Sequence, residues 1–324
     1  MRRGVLGPIL LGFGAFALVA AALLRFYAYD QLAVAPKDQE STTVLVGPDA
    51  TIFDTSVLEE VQTDLTITAY TVGDVEAAEE EGDDVVVWNT SSSTRNSDDV
   101  QLSASVERIA FDPFTAESVD CCGTFISDTE GEETPITRSG LLAKFPFGTE
   151  KRTYDWWDDD LGEAVPIDYV ETEEIDGLET YKFEQTIEPT VVDTQEVPAS
   201  VLGEDAEGNL PADFTYSNVR TLWVEPVTGV IIKRQEQQLN TIQYQGEDRV
   251  TTTEATVGYD EETVQNNIDE YGGEATKLKL VHTTGPLILV ILGLVAIVIG
   301  SLLVLRNRGG DAAQGTGTRQ EQYA

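Results

Sequence analysis

The sequence predicts a mainly β protein, antiparallel in its sheet and α+β in detail, flanked by two transmembrane α-helices. Three observations predict this fold class. Uncharged apolar stretches of 21 residues lie at 4–24 and 285–305, and about 20 apolar residues cross the hydrocarbon layer as a helix. Several segments between them alternate polar and apolar residues with period two, as half-buried strands do. A later region also has the turn residues of an antiparallel meander.

The first apolar stretch, residues 4–24, is expected to be an uncleaved signal-anchor helix. It follows a short N-terminus, residues 1–3, that contains two arginines. A run of three alanines at 20–22 offers a small-residue cleavage site, so a removed signal peptide is the alternative. The anchor is favoured because the apolar run continues through Leu24 and is followed by Arg25 and aromatic residues, an arrangement typical of a membrane interface.

The region 25–284 is predicted to be one β-rich domain. Alternating or β-branched segments predict strands at 64–72, 84–90, 100–111 and 180–187. The clearest unit is a three-stranded meander formed by 219–225, 230–245 and 249–257, with Gly229 in the first reversal. Acidic or Ser/Thr/Asn-rich segments predict loops at 73–84 and 91–99, and a crossing between sheet regions with one short helical turn at 190–211.

Helix is expected only next to the second span. Asp260 is a candidate N-cap, because its carboxylate can accept a hydrogen bond from a free N–H of the first turn. Gly272 and Gly273 are expected to end this helix. A second short helix, 274–282, then leads into the span at 285–305, and the tail at 306–324 is expected to be disordered.

The charge of the chain is very uneven. Residues 25–284 contain 15 Lys and Arg and 56 Asp and Glu, a formal charge of −41, whereas the whole chain has −38. A domain this acidic will not bind nucleic acid through its phosphates. The positive-inside tendency of Arg2, Arg3, Arg306 and Arg308 predicts that both termini are cytoplasmic and that the acidic domain is extracytoplasmic.

Six residues at the outer ends of the two spans are candidates for the membrane interface. They are Arg25, Tyr27, Tyr29, Lys277, Lys279 and His282. Tyrosine rings favour the headgroup level, and Lys and Arg side chains reach from apolar surroundings to water. His282 is the single histidine of the chain, and its place two residues before the second span favours an interfacial role over catalysis.

Small residues four positions apart occur in both spans, at Ala17 and Ala21 and at Ala296 and Gly300. This spacing lets two helices approach closely, although it also occurs often by chance. Packing of the two spans against each other is therefore a further expectation.

Few residues carry the pattern of a known chemistry. The chain has no Cys/His cluster with zinc spacing and no phosphate-binding Gly-Lys-Ser/Thr loop, so no cofactor is predicted. Cys121 and Cys122 are adjacent, and three states stay open: a vicinal disulfide, two free thiols, or a link to another chain. Asp158, Asp159 and Asp160 are candidate calcium ligands, with a solvated acidic loop as the alternative.

Five segments together resemble one family of actinobacterial membrane proteins. They are LLRFY at 23–27, VDCCG at 119–123, GLLAKFPFGTEKRTYD at 140–155, IDGLETYKF at 175–183 and TLWVEPVTGV at 221–230. The family is labelled porin PorA and is otherwise a domain of unknown function. The resemblance spans nearly the whole chain and implies an envelope protein, and it implies no catalytic residues.

Three functions are consistent with the sequence. The first is a non-enzymatic envelope protein that binds or passes a lipid or glycolipid next to the bilayer. The second is an oligomeric, cation-preferring channel, as the family label suggests; two helices cannot enclose a wide pore, so a channel would need several copies. The third is an enzyme that acts on envelope polymers through carboxylates. The lipid bilayer is an expected partner in each case, and a homo-oligomer is an open possibility.

Overall fold

The computed structural model describes residues 5–82, 84–127 and 131–312. It divides into two compact units, a helical unit formed by Met1–Ala33 and Thr276–Ala324 and a sheet unit formed by Val34–Ala275. The predicted N-terminal segment 1–3 and residues 313–324 of the predicted tail lie outside the described residues. Residues 306–312 are helical, so the prediction that the whole tail from 306 is disordered is wrong for them.

The helices are α1 (Leu6–Leu23), a π-helical turn (Leu24–Ala28), α2 (Tyr29–Leu32), α3 (Val75–Glu81), α4 (Glu261–Lys279), a second π-helical turn (Leu280–Thr284) and α5 (Gly285–Ala312). The strands are β1 (Glu40–Asp54), β2 (Glu59–Gly73), β3 (Val86–Asn96), β4 (Gln101–Phe111), β5 (Phe125–Ser127), β6 (Glu133–Pro135), β7 (Tyr154–Asp158), β8 (Glu163–Ile175), β9 (Leu178–Pro198), β10 (Asn209–Val224), β11 (Ile231–Tyr244) and β12 (Glu247–Tyr259).

All twelve strands form one sheet in the order β6-β5-β4-β3-β2-β1-β12-β11-β10-β9-β8-β7. Every neighbouring pair is antiparallel. The sheet therefore consists of two six-stranded meanders, and the pairing of β1 with β12 joins them. The mainly β, antiparallel fold class predicted from the sequence is confirmed.

The predicted strands lie inside strands of the structure. The segments 64–72, 100–111 and 180–187 fall within or almost within β2, β4 and β9, and the predicted meander is β10–β11–β12. Gly229 has a φ of 74°, and a Cβ there would lie 2.1 Å from the carbonyl oxygen of Phe145. Only glycine fits that reversal, because a side chain is excluded both by the backbone angle and by this contact.

Two predicted loops are wrong. Residues 91–96 belong to β3, where the Ser/Thr run pairs with β2 on one side and β4 on the other. The predicted crossing at 190–211 is the hairpin between β9 and β10, whose strands pair as far as Pro198 and Asn209. Neither segment shows clear period-two alternation, because 91–96 is polar on both faces and 190–198 places Val191 and Val192 side by side. The backbone pairing along the ladder is what makes them strands.

The helix next to the second span is longer than predicted. Asp260 caps it as expected, since its Oδ1 accepts a hydrogen bond from the Thr263 N–H at 2.8 Å. Gly272 and Gly273 do not end it, because α4 continues to Lys279 and the second π-helical turn connects it to α5. The expectation that helix occurs only near this span is also wrong, because α3 covers part of the sheet, with Ala78 fully buried.

The main core of the sheet unit joins strands from both of its edges. Val86, Ile109 and Phe111 of β3 and β4 share one cluster with apolar residues of β7 to β11. Leu141 links the edges through the backbone, since it forms bridges to Glu117 and to Trp156. The sheet therefore curls, and isolated bridges through 117–118 and 141 lead from Phe111 of β4 to Trp156 of β7.

The two long helices pack against each other through small residues. A Cβ on Gly14 would lie 2.5 Å from Ile297 and 2.7 Å from the carbonyl oxygen of Gly293, and Ala17 is buried. The opposite faces expose large apolar side chains such as Phe16 and Leu302. Both helices are long and apolar enough to cross a membrane, as the sequence predicts.

Candidate functional site: a buried charge network and a helix-boundary cluster

A network of charged side chains lies buried on the concave face of the sheet. Arg220 of β10 is its centre, with 6% of its surface exposed. It donates from Nε to Glu236 of β11 at 2.8 Å, from Nη1 to Gln185 of β9 at 2.6 Å and from Nη2 to Asp158 of β7 at 3.1 Å. Tyr216 also donates to Asp158, at 3.0 Å. Since β7 is three strands away from β10 in the sheet, these contacts require the curl.

Arg138 extends the network across the gap between β4 and β7. Its Nη2 lies 3.2 Å from Glu107 of β4, its Nη1 donates to the Arg108 carbonyl at 3.2 Å, and its Nε lies 3.3 Å from Asp159, next to the end of β7. The Arg138 side chain is 3% exposed. One guanidinium therefore ties the first meander to the start of the second.

The network shifts the pKa values of its acids in opposite directions. Burial alone would raise the pKa of Glu236, but Arg234 and Arg220 hold it well below its ordinary value. Burial, and then the charges of Asp158 and Asp159, raises the pKa of Asp160 to about 6, although the side chain keeps access to solvent. Burial and the charge of Asp159 also raise the pKa of Glu107.

The three candidate calcium ligands do not converge on one point. Asp158 is 1% exposed and is bound to Arg220, Tyr216 and the Leu161 N–H. Asp159 accepts from Arg138 and from the Trp157 indole N–H at 2.8 Å. Across the described ranges there is no group of three or more His, Cys, Asp or Glu side chains that could hold a metal ion. The arrangement does not support the calcium hypothesis, because Arg220 and Arg138 already pair with Asp158 and Asp159.

Two amide oxygens on the same face have no donor among the described residues. Asn218 is 1% exposed, and its Nδ2 donates to Tyr216 and to Glu236 at 3.1 and 3.0 Å. Because the ionised Glu236 only accepts, the amide orientation is fixed and Oδ1 is left without a partner. Asn240 of β11, a diagonal neighbour in the register, also has a buried Oδ1 without a donor. This part of the face thus has two amide oxygens, Oδ1 of Asn218 and of Asn240, that accept no hydrogen bond from the described residues.

Lys144 is buried in the segment 140–155, one of the five segments that carry the family resemblance. It is 5% exposed, and in the described part of the chain its Nζ has no hydrogen-bond partner. The amine lies 3.8 Å from the centre of the Phe147 ring, and this cation–π contact stabilises the protonated amine. Burial lowers the pKa of Lys144 to about 7, opposed by the charge of Asp112. Phe145, its neighbour, is fully buried in the main core.

A half-open cavity of about 450 Å³ lies beside β4. Its lining combines hydroxyl groups, one carboxylate and apolar groups: Ser103, Ala104, Ser105, Ile126, Ser127, Glu132 and Thr134. This volume is within the range of sites for small organic ligands.

Cys121 and Cys122 are joined by a vicinal disulfide in the structure. The pair packs against the cluster of Ala78, Val87 and neighbours beneath α3. The Cys122 carbonyl accepts from Arg108 Nη1 at 3.3 Å, and Arg108 Nη2 lies 2.6 Å from Asp74, the N-cap of α3.

Three of the six interface candidates, Arg25, Tyr29 and His282, meet at the π-helical turns. Arg25 Nη1 donates to the His282 carbonyl at 2.9 Å. The rings of Tyr29 and His282 stack with their centres 4.0 Å apart. Tyr27, Lys277 and Lys279 are exposed and belong to the same helical unit. Four of the six candidates are exposed on the surface of the helical unit: Arg25, Tyr27, Lys277 and Lys279. The stacked rings of Tyr29 and His282 form a contact between the two helical segments.

Sequence reasoning missed the arginines of the buried network. Arg220 has a detectable signal, because it stands at a core-facing position of a strand whose other core-facing residues, apart from Asn218, are apolar or aromatic. Arg138 lies outside regular structure and gives no such signal.

Comparison with known proteins agrees with this architecture. A family model described as Porin PorA matches residues 6–302, which include most of both spans and the whole sheet. A protein named Porin PorA from Corynebacterium resistens is 27% identical, and the alignment covers 95% of this chain and 98% of that relative. A second Porin PorA, from Corynebacterium amycolatum, is also 27% identical, with 93% and 98% covered. The chain is a membrane protein and belongs to the Porin PorA family.

Proposed function

We propose that this chain is a non-enzymatic cell-envelope protein, held to the membrane by both of its ends, that binds or passes a lipid or glycolipid near that membrane. Its two spans would be a signal-anchor and a return helix, with both termini cytoplasmic and the sheet unit extracytoplasmic. Labelling of single engineered cysteines with an impermeant reagent on whole cells tests this topology. Labelling within the sheet unit supports it, and labelling of the termini alone contradicts it.

The observation that best supports this proposal is the difference in polarity between the exposed surfaces of the helices and of the sheet. α1 and α5 expose large apolar side chains, whereas β8 and β9 expose carboxylates. These carboxylates include Glu171, Glu174, Glu179, Glu184 and Glu188. Ionised side chains on a lipid-facing strand cost free energy at the bilayer midplane. The helices therefore suit the bilayer and the sheet suits water.

Two further features favour a ligand-binding role. The cavity beside β4 combines Ser and Thr hydroxyls and the Glu132 carboxylate with Ile126, which suits a molecule with a hydrogen-bonding, uncharged polar head and an apolar part. A double anchor would keep this cavity at high effective concentration near the lipids. The carboxylates of the buried network are bound to Arg138 and Arg220, an arrangement that favours a structural role for them over hydrolysis.

The test is mass spectrometry of organic extracts of the purified, full-length protein. A stoichiometric lipid or glycolipid that is retained by wild type and reduced in Ser105→Trp, which fills the cavity, supports binding. The matched variant Ser93→Trp lies on neighbouring β3 and does not line this cavity. A folded protein that is empty under mild extraction would contradict the proposal.

The second candidate is an oligomeric, cation-preferring channel. The family description and the printed names of both relatives favour it. The acidity of residues 25–284 would favour cations in a vestibule. Single-channel steps from pure oligomer in a planar bilayer would support this candidate. A folded, homogeneous preparation that stays silent would exclude it and leave the carrier role untouched.

A further inference from the structure

Exposed cationic and aromatic side chains occur in both helical segments beside the two π-helical turns. We define this boundary patch as Arg25, Phe26, Tyr27, Lys277 and Lys279, all of which are exposed. We propose that the boundary patch binds the phosphodiester headgroup of an anionic phospholipid of the bilayer that the helices cross. The site is separate from the cavity beside β4, and it stands whether or not that cavity holds a ligand.

Arg25 is the residue best placed to hold the phosphate. Its Nη1 donates to the His282 carbonyl, and this is its one hydrogen bond among the described residues. Its other N–H donors remain available, and the guanidinium lies 5.8 Å from the Phe26 ring centre. A guanidinium is a planar fork that matches two phosphate oxygens. The bond to His282 limits the rotation of the side chain, so less freedom is lost when a phosphate binds.

The π-helical turns explain why the arginine is held there. A π-helical turn shifts the hydrogen-bond pattern of a helix by one residue, and such turns are frequent at functional sites. Both helices have one, at Leu24–Ala28 and at Leu280–Thr284. The stacking of Tyr29 on His282 fixes the two turns side by side. The position of the Arg25 guanidinium is therefore determined by two helices.

Lys277 and Lys279 add positive charge at this helix boundary. They stand in the last turn of α4, where cations also favour the helix dipole. Each basic residue near an anionic surface contributes about 1 kcal/mol, which is roughly a fivefold change in affinity. The exposed rings of Phe26 and Tyr27 belong at the depth of the headgroups.

The experiment measures which lipids stay on the full-length protein. Wild type and variants are reconstituted in nanodiscs of phosphatidylcholine and phosphatidylglycerol, and retained lipids are counted by native mass spectrometry. We expect severalfold enrichment of phosphatidylglycerol on wild type that falls as salt is raised. Arg25→Ala should lower the enrichment about fivefold, and Arg25→Lys should restore only part of it, because an ammonium lacks the fork.

Controls separate headgroup binding from helix pairing and from net charge. Lys277→Gln with Lys279→Gln leaves the Arg25–His282 bond in place and should still lower the enrichment. Lys151→Gln with Arg152→Gln removes the same amount of charge from the sheet unit, and this double variant should leave the enrichment unchanged. Equal retention of the two lipids on wild type, or unchanged enrichment in Arg25→Ala, would overturn the proposal. Displacement of the enrichment by inorganic phosphate at low concentration would assign the patch to a free anion and also overturn it.

Discussion

Arg220 and Asp158 form a buried ion pair, 3.1 Å from Nη2 to Oδ2, between strands that are not neighbours in the sheet. Both side chains are almost fully buried, at 7% and 1% exposed. Asp158 also accepts from Tyr216, and Arg220 also contacts Glu236 and Gln185. The pair thus couples β7, β9, β10 and β11 on the concave face.

Removal of this arginine should be strongly destabilising. Arg220→Ala leaves Asp158 and Glu236 buried with less compensating charge, and we expect a loss of about 3–5 kcal/mol. The measurement is urea unfolding followed by tryptophan fluorescence. Arg95→Ala is the matched control, because its pair with Asp99 is exposed and should contribute under about 1 kcal/mol. A loss for Arg220→Ala no larger than the control would contradict a structural role for the network.

Asp160 should make stability fall as the pH rises. Its pKa is raised to about 6 in the folded protein, so the folded state holds this proton more tightly than the unfolded state. The favourable contribution of the protonated form is therefore lost between about pH 4 and pH 6. Asp160→Asn should raise the unfolding midpoint above that of wild type at about pH 7.5, and the gap should close near pH 4. Glu163→Gln, at an exposed position, is the control, and a gap independent of pH would refute the assignment.

Lys144 should make stability rise with pH, which is the opposite of the effect expected for Asp160. Its pKa is lowered to about 7, so the unfolded state binds more protons, and stability rises with pH between about 7 and 10. Lys144→Met removes a buried amine, and we expect a gain on the order of 2–4 kcal/mol near pH 6, after loss of the contact with Phe147. The gain should shrink in alkaline solution. Lys151→Met, at an exposed lysine, should change little, and destabilisation by Lys144→Met at every pH would count against this account.

Gly14 should be essential for the packing of the two spans, and Gly12 should not. A Cβ at Gly14 meets Ile297 and the Gly293 carbonyl, whereas a Cβ at Gly12 meets nothing within 4 Å. Gly14→Val should therefore separate α1 from α5, and Gly12→Val should leave them in place. Distances between spin labels on Phe16 and Leu302 measure this in micelles. Equal distances in both variants would show that the small-residue contact is dispensable.

The vicinal disulfide should stabilise the segment around it and contribute little to the stability of the whole protein. A bond between adjacent residues closes almost no chain, so its removal should cost about 1 kcal/mol. We expect that Cys121→Ser with Cys122→Ser speeds hydrogen exchange around 119–123 and at α3 while the sheet keeps its protection. Mass spectrometry after alkylation without reductant checks the bond itself. Two labelled thiols would mean free cysteines, and a reducible dimer would mean a link between chains.

Much of the fold could be predicted from local pattern. Period-two alternation located most of the strands, and the turn at Gly229 located the last meander, because these signals arise within a few residues. The strand at 91–96 was missed because its stability comes from partners on both sides. Gly272 and Gly273 predicted a helix end that is absent, since the helix around them continues into the span.

The sequence by itself determined the two apolar spans, the acidity of the region between them, the resemblance to the Porin PorA family and the antiparallel class. These depend on composition, length and short periodicity. Only the tertiary structure decided which charges meet. Asp158 and Arg220 are 62 residues apart, and Glu107 and Arg138 are 31 apart. Their contacts depend on strand order, register and the curl of the sheet, and a single sequence records none of these locally.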